Sequence, residues 1–214
     1  MLIRRKISKD EIINLTKKDA WNFGNQVLYD MCSNNPEHKD KKIIIGKVWL
    51  IGRAYAAAIE RRKNVSETGD GDDFYFKVVA PKIKEIGGEL DRRIKALNKC
   101  GEITEDNLIQ ILDTHKFLTD IYYEITKLNK RSLASKYLHF HAPNKFYIYD
   151  SRADESIRKY ISLDRSMKEK LKHIEADENY LEFVIRMFTF QNYIKEKYDI
   201  YLTPRQIDVF LLKY

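Results

Sequence analysis

Apolar residues in this chain recur every three or four positions, and no run of useful length alternates apolar with polar. That period puts them on one face of an α-helix, whereas a half-buried strand needs a period of two. The longest stripe is Leu108, Ile111, Leu112, His115, Leu118, Tyr122, Ile125 and Leu128, behind Thr104 as a natural N-cap. Val48, Ile51, Tyr55, Ala58 and Ile59 form a second stripe, so the spacing predicts a helix from Ile43 through that run. Other helices are expected over Asp19 to Met31, over Phe74 to Ile86 with a break near Pro81 and an end at Gly87 and Gly88, and over a short successor carrying Leu90, Ile94 and Leu97. Further ones run from Ser132 to about His141, from a cap at Asp150 or Ser151, after Asp177, and from Thr203, where Pro204 and Gln206 complete a start signal. Ser66 to Asp73 offers turn chemistry and little to bury, and reads as the best site for mobility. The expected fold class is all-α, a compact multi-helix domain over residues 1–214 or two closely packed lobes over 1–100 and 101–214.

Charge narrows the partners. Thirty-nine Lys and Arg against 32 Asp and Glu leave a formal +7, which favours anionic partners such as nucleic acid, although a surface of that charge also serves solubility. The two cysteines, Cys32 and Cys100, belong to no metal-spaced cluster, so no structural metal or cofactor is expected. Residues 1–9 lack the apolar centre of a signal peptide, and no apolar run approaches the roughly 20 residues of a membrane span. No membrane partner and a cytoplasmic location are the expectations.

The most informative stretch runs from Ser132 to Asp150: a basic turn, an apolar helix, then the aromatic strip Phe146-Tyr147-Ile148-Tyr149 that delivers one carboxylate. Over Thr104 to Tyr160 this resembles the helix-hairpin-helix DNA glycosylases, in particular the 8-oxoguanine glycosylase-like branch. The resemblance implies that the helices ending at Leu128 and starting at Ser132 form the hairpin, and that Asp150 matches the catalytic aspartate. Two departures follow. The hairpin turn is Asn129-Lys130-Arg131-Ser132, short and free of the glycines whose amides hold a phosphate in that family. No lysine falls cleanly at the family's Schiff-base position, Lys136 lying a turn into the second helix, which points to a monofunctional hydrolase.

On that reading Asp150 activates water and stabilises an oxocarbenium-like transition state. Lys130, Arg131, Ser132, Lys136 and Arg152 are the candidates for DNA contact, and Trp49, Tyr55, Tyr147 and Tyr149 for the pocket of a flipped base in duplex DNA. The substrate would be a damaged or a modified base. Each residue also has a plain structural reading. Asp150 serves equally as a helix cap, Lys130 and Arg131 as a solvated turn, and the aromatics as core. His139 and His141, two apart on a helix, face different ways and cannot chelate one metal together. The alternative function is a helical nucleic-acid-binding module without chemistry.

Overall fold

A computed structural model describes residues 2–17, 21–62 and 71–213. Asp19 and the stretch from Ser66 to Asp70, expected as a helix start and a loop, lie outside the described residues. Among those described the chain is all-α, and its one extended pairing is an isolated antiparallel bridge between Ile3 and Ile161.

The helices are α1 (Lys9–Thr16), α2 (Asn22–Asn34), α3 (Lys41–Ala54), α4 (Gly71–Phe74), α5 (Ala80–Glu85), α6 (Gly87–Lys99), α7 (Glu105–Thr126), α8 (Arg131–His141), α9 (Ser151–Tyr160), α10 (Arg165–Leu171), α11 (Glu178–Tyr198) and α12 (Pro204–Leu212). Capping explains most of their boundaries. Ser8 with Glu11, Thr104 with Asn107, and Thr203 with Gln206 form capping boxes, while Asp40, Asp150, Asp164 and Asp177 each take a backbone N–H of the following turn. Lys127 and Asp199 close α7 and α11 in the left-handed region, at φ 56° and 54°.

The structure departs from the sequence reading at several boundaries. The Ile43 helix does not reach Ile59: α3 stops at Ala54 and the chain turns at Ala56, whose φ is 51°. Pro81 does not break its helix. Its ring cannot tolerate the carbonyl four residues back, and the turn Tyr75–Val79 widens to a π-helix that carries the chain into α5. The preceding helix ends at Glu85 and Ile86, next to the glycines as expected, and Gly87 and Gly88 form the first turn of α6; a Cβ at Gly87 would come within 2.7 Å of the His38 carbonyl. Helices α1 and α10 carry no long apolar stripe, and the sequence reading passed over both.

One hydrophobic cluster runs from Ile7 to Leu211. Helix α8 lies across α2, α3 and α7, while α9 packs on α11 and α12. The N-terminus crosses to the far end of the chain: α1 packs on α12, Arg4 N donates to the Tyr160 carbonyl at 2.7 Å, and Ser162 N donates to that of Leu2 at 2.7 Å. None of the described helices is long and apolar enough to cross a membrane.

Every residue from Leu133 to His141 is buried. Burial keeps the His139 imidazole neutral, with its pKa pushed down to about 4, and lowers those of His115 and His141 for the same reason. A histidine whose folded pKa lies below its unfolded value of ~6.5 leaves stability intact above that value. Stability falls as pH drops from there toward the folded pKa, by up to ~1.4 kcal/mol per pH unit for each such group. The urea midpoint is therefore expected to hold constant above pH 7 and to fall steadily from pH 6.5 to 4.5; a flat midpoint across that window would contradict the burial of these rings.

Candidate functional site

The first turn of α8 is where most of the expected site residues meet. Lys136 is only 3% exposed, and its Nζ donates to Ser132 Oγ at 2.9 Å and to the Tyr55 carbonyl at 3.2 Å. Its ammonium stands over the Tyr55 ring, 5.7 Å from the centroid. Desolvation pushes the Lys136 pKa below the ordinary lysine range, and the carboxylates of Asp150 and Asp208 act in the opposite sense. Lys130 Nζ donates to the Ala58 carbonyl at 3.0 Å. Its pKa is lowered by burial and then by Arg61, against which Glu60 acts. The turn at Ala56 thus presents two main-chain carbonyls to two lysines of the α8 region.

Asp150 is half-buried. Its Oδ1 accepts the Ala153 N–H at 2.8 Å, so the carboxylate caps α9 as the plain reading of the sequence expected. A cleft of about 420 Å³ opens on the α3–α4 connection beside the lysines, lined by Gly52, Arg53, Ala56, Ala58, Glu60 and Arg61. Within it Arg53 pairs with Glu60, while Arg61 is exposed and has no ion-pair partner among the described residues. At the opposite end of α8 a groove of about 400 Å³ lies between Tyr29, Phe140, His141 and Arg205.

Other expected site residues lie elsewhere or have their polar groups engaged. The Arg131 Nε donates to Asp177 Oδ1 at 2.7 Å, and its guanidinium stands 5.9 Å from the Tyr149 ring centroid. Arg131, Asn129 and the Tyr180 N–H together hold the Asp177 carboxyl below its ordinary pKa against the cost of its burial. The Arg131 charge is therefore already matched by a carboxylate. The Ser132 hydroxyl turns inward, donating to the Tyr149 carbonyl at 3.1 Å, rather than out to solvent. Tyr147 is fully buried, with its OH donating to Gln191 Oε1 at 2.7 Å, and this sets it apart from any open recess. Trp49 is 44% exposed on the outer face of α3 with Arg53 above its ring. Arg152 is exposed on α9 beside a shallow depression of about 170 Å³ that also includes Glu155, Ser156 and Lys159. Tyr55 remains in the cluster, its OH donating to Asn25 Oδ1 at 2.7 Å.

Sequence reasoning missed Ser135, Asn25, Arg205 and Asp208. Ser135 had a signal, since Ser132, Ser135 and Lys136 stand at i, i+3 and i+4 on one helical face. Asp208 and Asn25 had none, because only the tertiary fold brings α12 and α2 to this place. Both expected histidine readings concern packing: His115 Nε2 donates to the Arg131 carbonyl at 3.0 Å, and His139 bonds Tyr29 OH at 2.6 Å and the Phe146 carbonyl at 2.8 Å. No three His, Cys, Asp or Glu side chains gather in metal-binding geometry among the described residues.

The fold and site define an all-α protein in which a buried lysine of α8 lies within electrostatic reach of a carboxylate that caps α9. In comparisons with protein-family models, curated proteins and solved structures, nothing matches the chain.

The Arg131–Asp177 pair ties the α7–α8 turn to the start of α11. Asp177→Ala deletes a cap and strands a part-buried guanidinium, and is expected to lower unfolding free energy by about 2–4 kcal/mol. Arg131→Met, which leaves Asp177 its Asn129 and backbone donors, should cost about 1–3 kcal/mol. Urea titration of both variants checks the order; equal or negligible losses would remove the pair from the forces that hold this turn.

Proposed function

We propose that this chain is a DNA base-excision N-glycosylase that acts on a damaged or modified base, with Asp150 as its reacting carboxylate. The observation that carries the reading is the nearness of Asp150 to the buried amine of Lys136, on which its charge acts, with Lys130 held on the α3–α4 connection, where an open cleft contains Arg53 and Arg61. It is joined by the resemblance of Thr104 to Tyr160 to the helix-hairpin-helix glycosylases.

The chemistry follows from charge. Breaking a glycosidic bond builds positive charge on the sugar, and a fixed anion next to C1′ stabilises it while orienting the attacking water. Asp150 serves both ends, since its Oδ1 is fixed by the Ala153 amide. Lys130 and Arg61 supply cations for the phosphodiester backbone, and Arg131 contributes little there because Asp177 neutralises it.

Asp150→Asn separates charge from geometry, because Asn caps a helix about as well as Asp and carries no anion. The expected outcome, with duplexes each bearing one modified base followed by alkaline strand cleavage, is a loss of abasic-site formation of about 10²-fold or more with DNA affinity retained. Affinity of the wild type should fall steeply between about 50 and 200 mM salt. Binding with that salt dependence but no abasic sites in the wild type would leave the non-catalytic module; absence of binding at low salt would end both.

A further inference from the structure

The strip Phe146-Tyr147-Ile148-Tyr149, which enters Asp150 in an extended conformation, belongs to no helix or sheet, so its backbone polar groups need partners from elsewhere. One stripe of α8 supplies them. His139 Nδ1 meets the Phe146 carbonyl at 2.8 Å, Tyr149 N donates to Ser135 Oγ at 3.0 Å, and Ser132 Oγ donates to the Tyr149 carbonyl at 3.1 Å. The spacing 132, 135, 139 is that of one helical face, and the strip runs back along it in the opposite direction.

The lengths match. Seven residues of helix from 132 to 139 advance roughly 10.5 Å at about 1.5 Å each. Three residues of extended chain from 146 to 149 advance roughly 10 Å at about 3.3 Å each. A face of α8 therefore stands in for the missing neighbour strand and fixes the register of the strip, and Asp150 is the next residue. Ser132 Oγ also accepts from Lys136 Nζ at 2.9 Å, so the hydroxyl that holds the Tyr149 carbonyl also holds an amine on which the carboxylate acts.

We infer that Ser132 and Ser135 are positioning residues for Asp150: by clamping both polar groups of the Tyr149 peptide to α8 they set where the carboxylate stands relative to Lys136. The catalytic consequence rests on the glycosylase reading above, whereas the clamp itself can be measured without it. Ser135 is fully buried, and its own hydroxyl donates to the Ser132 carbonyl at 3.0 Å, which leaves its oxygen oriented to accept from Tyr149.

The test uses Ser135→Ala and Ser132→Ala in the full chain, with Ser156→Ala as a control, since Ser156 is a buried α9 serine whose hydroxyl has no partner among the described residues. Hydrogen exchange at the Tyr149 amide is expected to accelerate at least about tenfold in Ser135→Ala and to stay unchanged in the control. On a modified-base duplex that the wild type processes, kcat should fall about tenfold or more at unchanged KM, as a displaced reacting group requires. Combining Ser135→Ala with Asp150→Asn should add no further loss, a non-additivity that general weakening of the fold would not produce. Unchanged Tyr149 exchange overturns the clamp. Faster exchange with unaltered kcat, or additive losses, overturns the positioning role. A wild type inactive on every duplex of the panel overturns the glycosylase reading and the catalytic consequence with it, while exchange at Tyr149 still decides the clamp.

Discussion

Nine consecutive residues of α8, from Leu133 to His141, are removed from water, and five of them carry polar side-chain atoms. A buried polar group without a partner costs about 1–3 kcal/mol, so a helix of this composition can sit at the centre only where its neighbours present the right donors and acceptors. They do so from several sides for four of the five, while the buried His141 Nε2 has no partner among the described residues. The α3–α4 connection gives the Tyr55 carbonyl to Lys136, the chain before α3 gives His38 Nε2 to Tyr137 OH at 2.8 Å, α2 gives Tyr29 to His139, and the following strip takes Ser135 and His139. The rest of the molecule is arranged around meeting those demands.

That arrangement brings distant parts of the chain to one end of α8. The Ala56 turn is held there through two lysines, α12 brings Asp208 close enough to act on Lys136, and α11 is tied to the hairpin turn through Asp177 and Arg131. The His38 ring links a further layer, since its Nδ1 bonds Asp91 Oδ1 of α6 at 2.5 Å while its Nε2 bonds Tyr137. Many of the basic side chains are matched in ion pairs, which leaves the net +7 to those that are not. Among the described residues around α8, Lys47, Lys130, Lys136 and Lys145 donate to main-chain carbonyls and belong to no ion pair, and neither does Arg61.

On the proposed glycosylase reading, Asp150 combines two roles that compete for one carboxylate. As a cap it accepts from an amide, which fixes its orientation; as a reacting anion it needs a free lone pair facing a sugar. One oxygen, Oδ1, is committed to Ala153, and a carboxylate has a second oxygen with lone pairs of its own. Rigidity supplied by the cap is an advantage for electrostatic stabilisation, because a group already oriented needs no reorganisation when charge develops.

Much of the helical scaffold was legible in the sequence because its signals are local. A 3.6-residue apolar period, the Thr104, Asp177 and Thr203 starts, and the short turn between α7 and α8, within a residue or two of its expected bounds, all depend on neighbours a few residues away. So did the placing of Asp150 at a helix start. Other features depended on long-range contacts and left no such trace. Ala56 adopts a left-handed turn inside an apparently continuous apolar stripe, and Pro81 is absorbed by a π-helical turn rather than ending its helix. Tyr147 goes to the core while Tyr55 stays by Lys136, and Arg131 is spent on a carboxylate 46 residues away. The sequence by itself determined the helices, their caps and the nearness of α8 to Asp150, because backbone hydrogen bonding and side-chain period are set within a turn or two. Only the tertiary structure decided which polar groups of α8 are buried and by whom they are met, because that depends on which distant surfaces exclude water together.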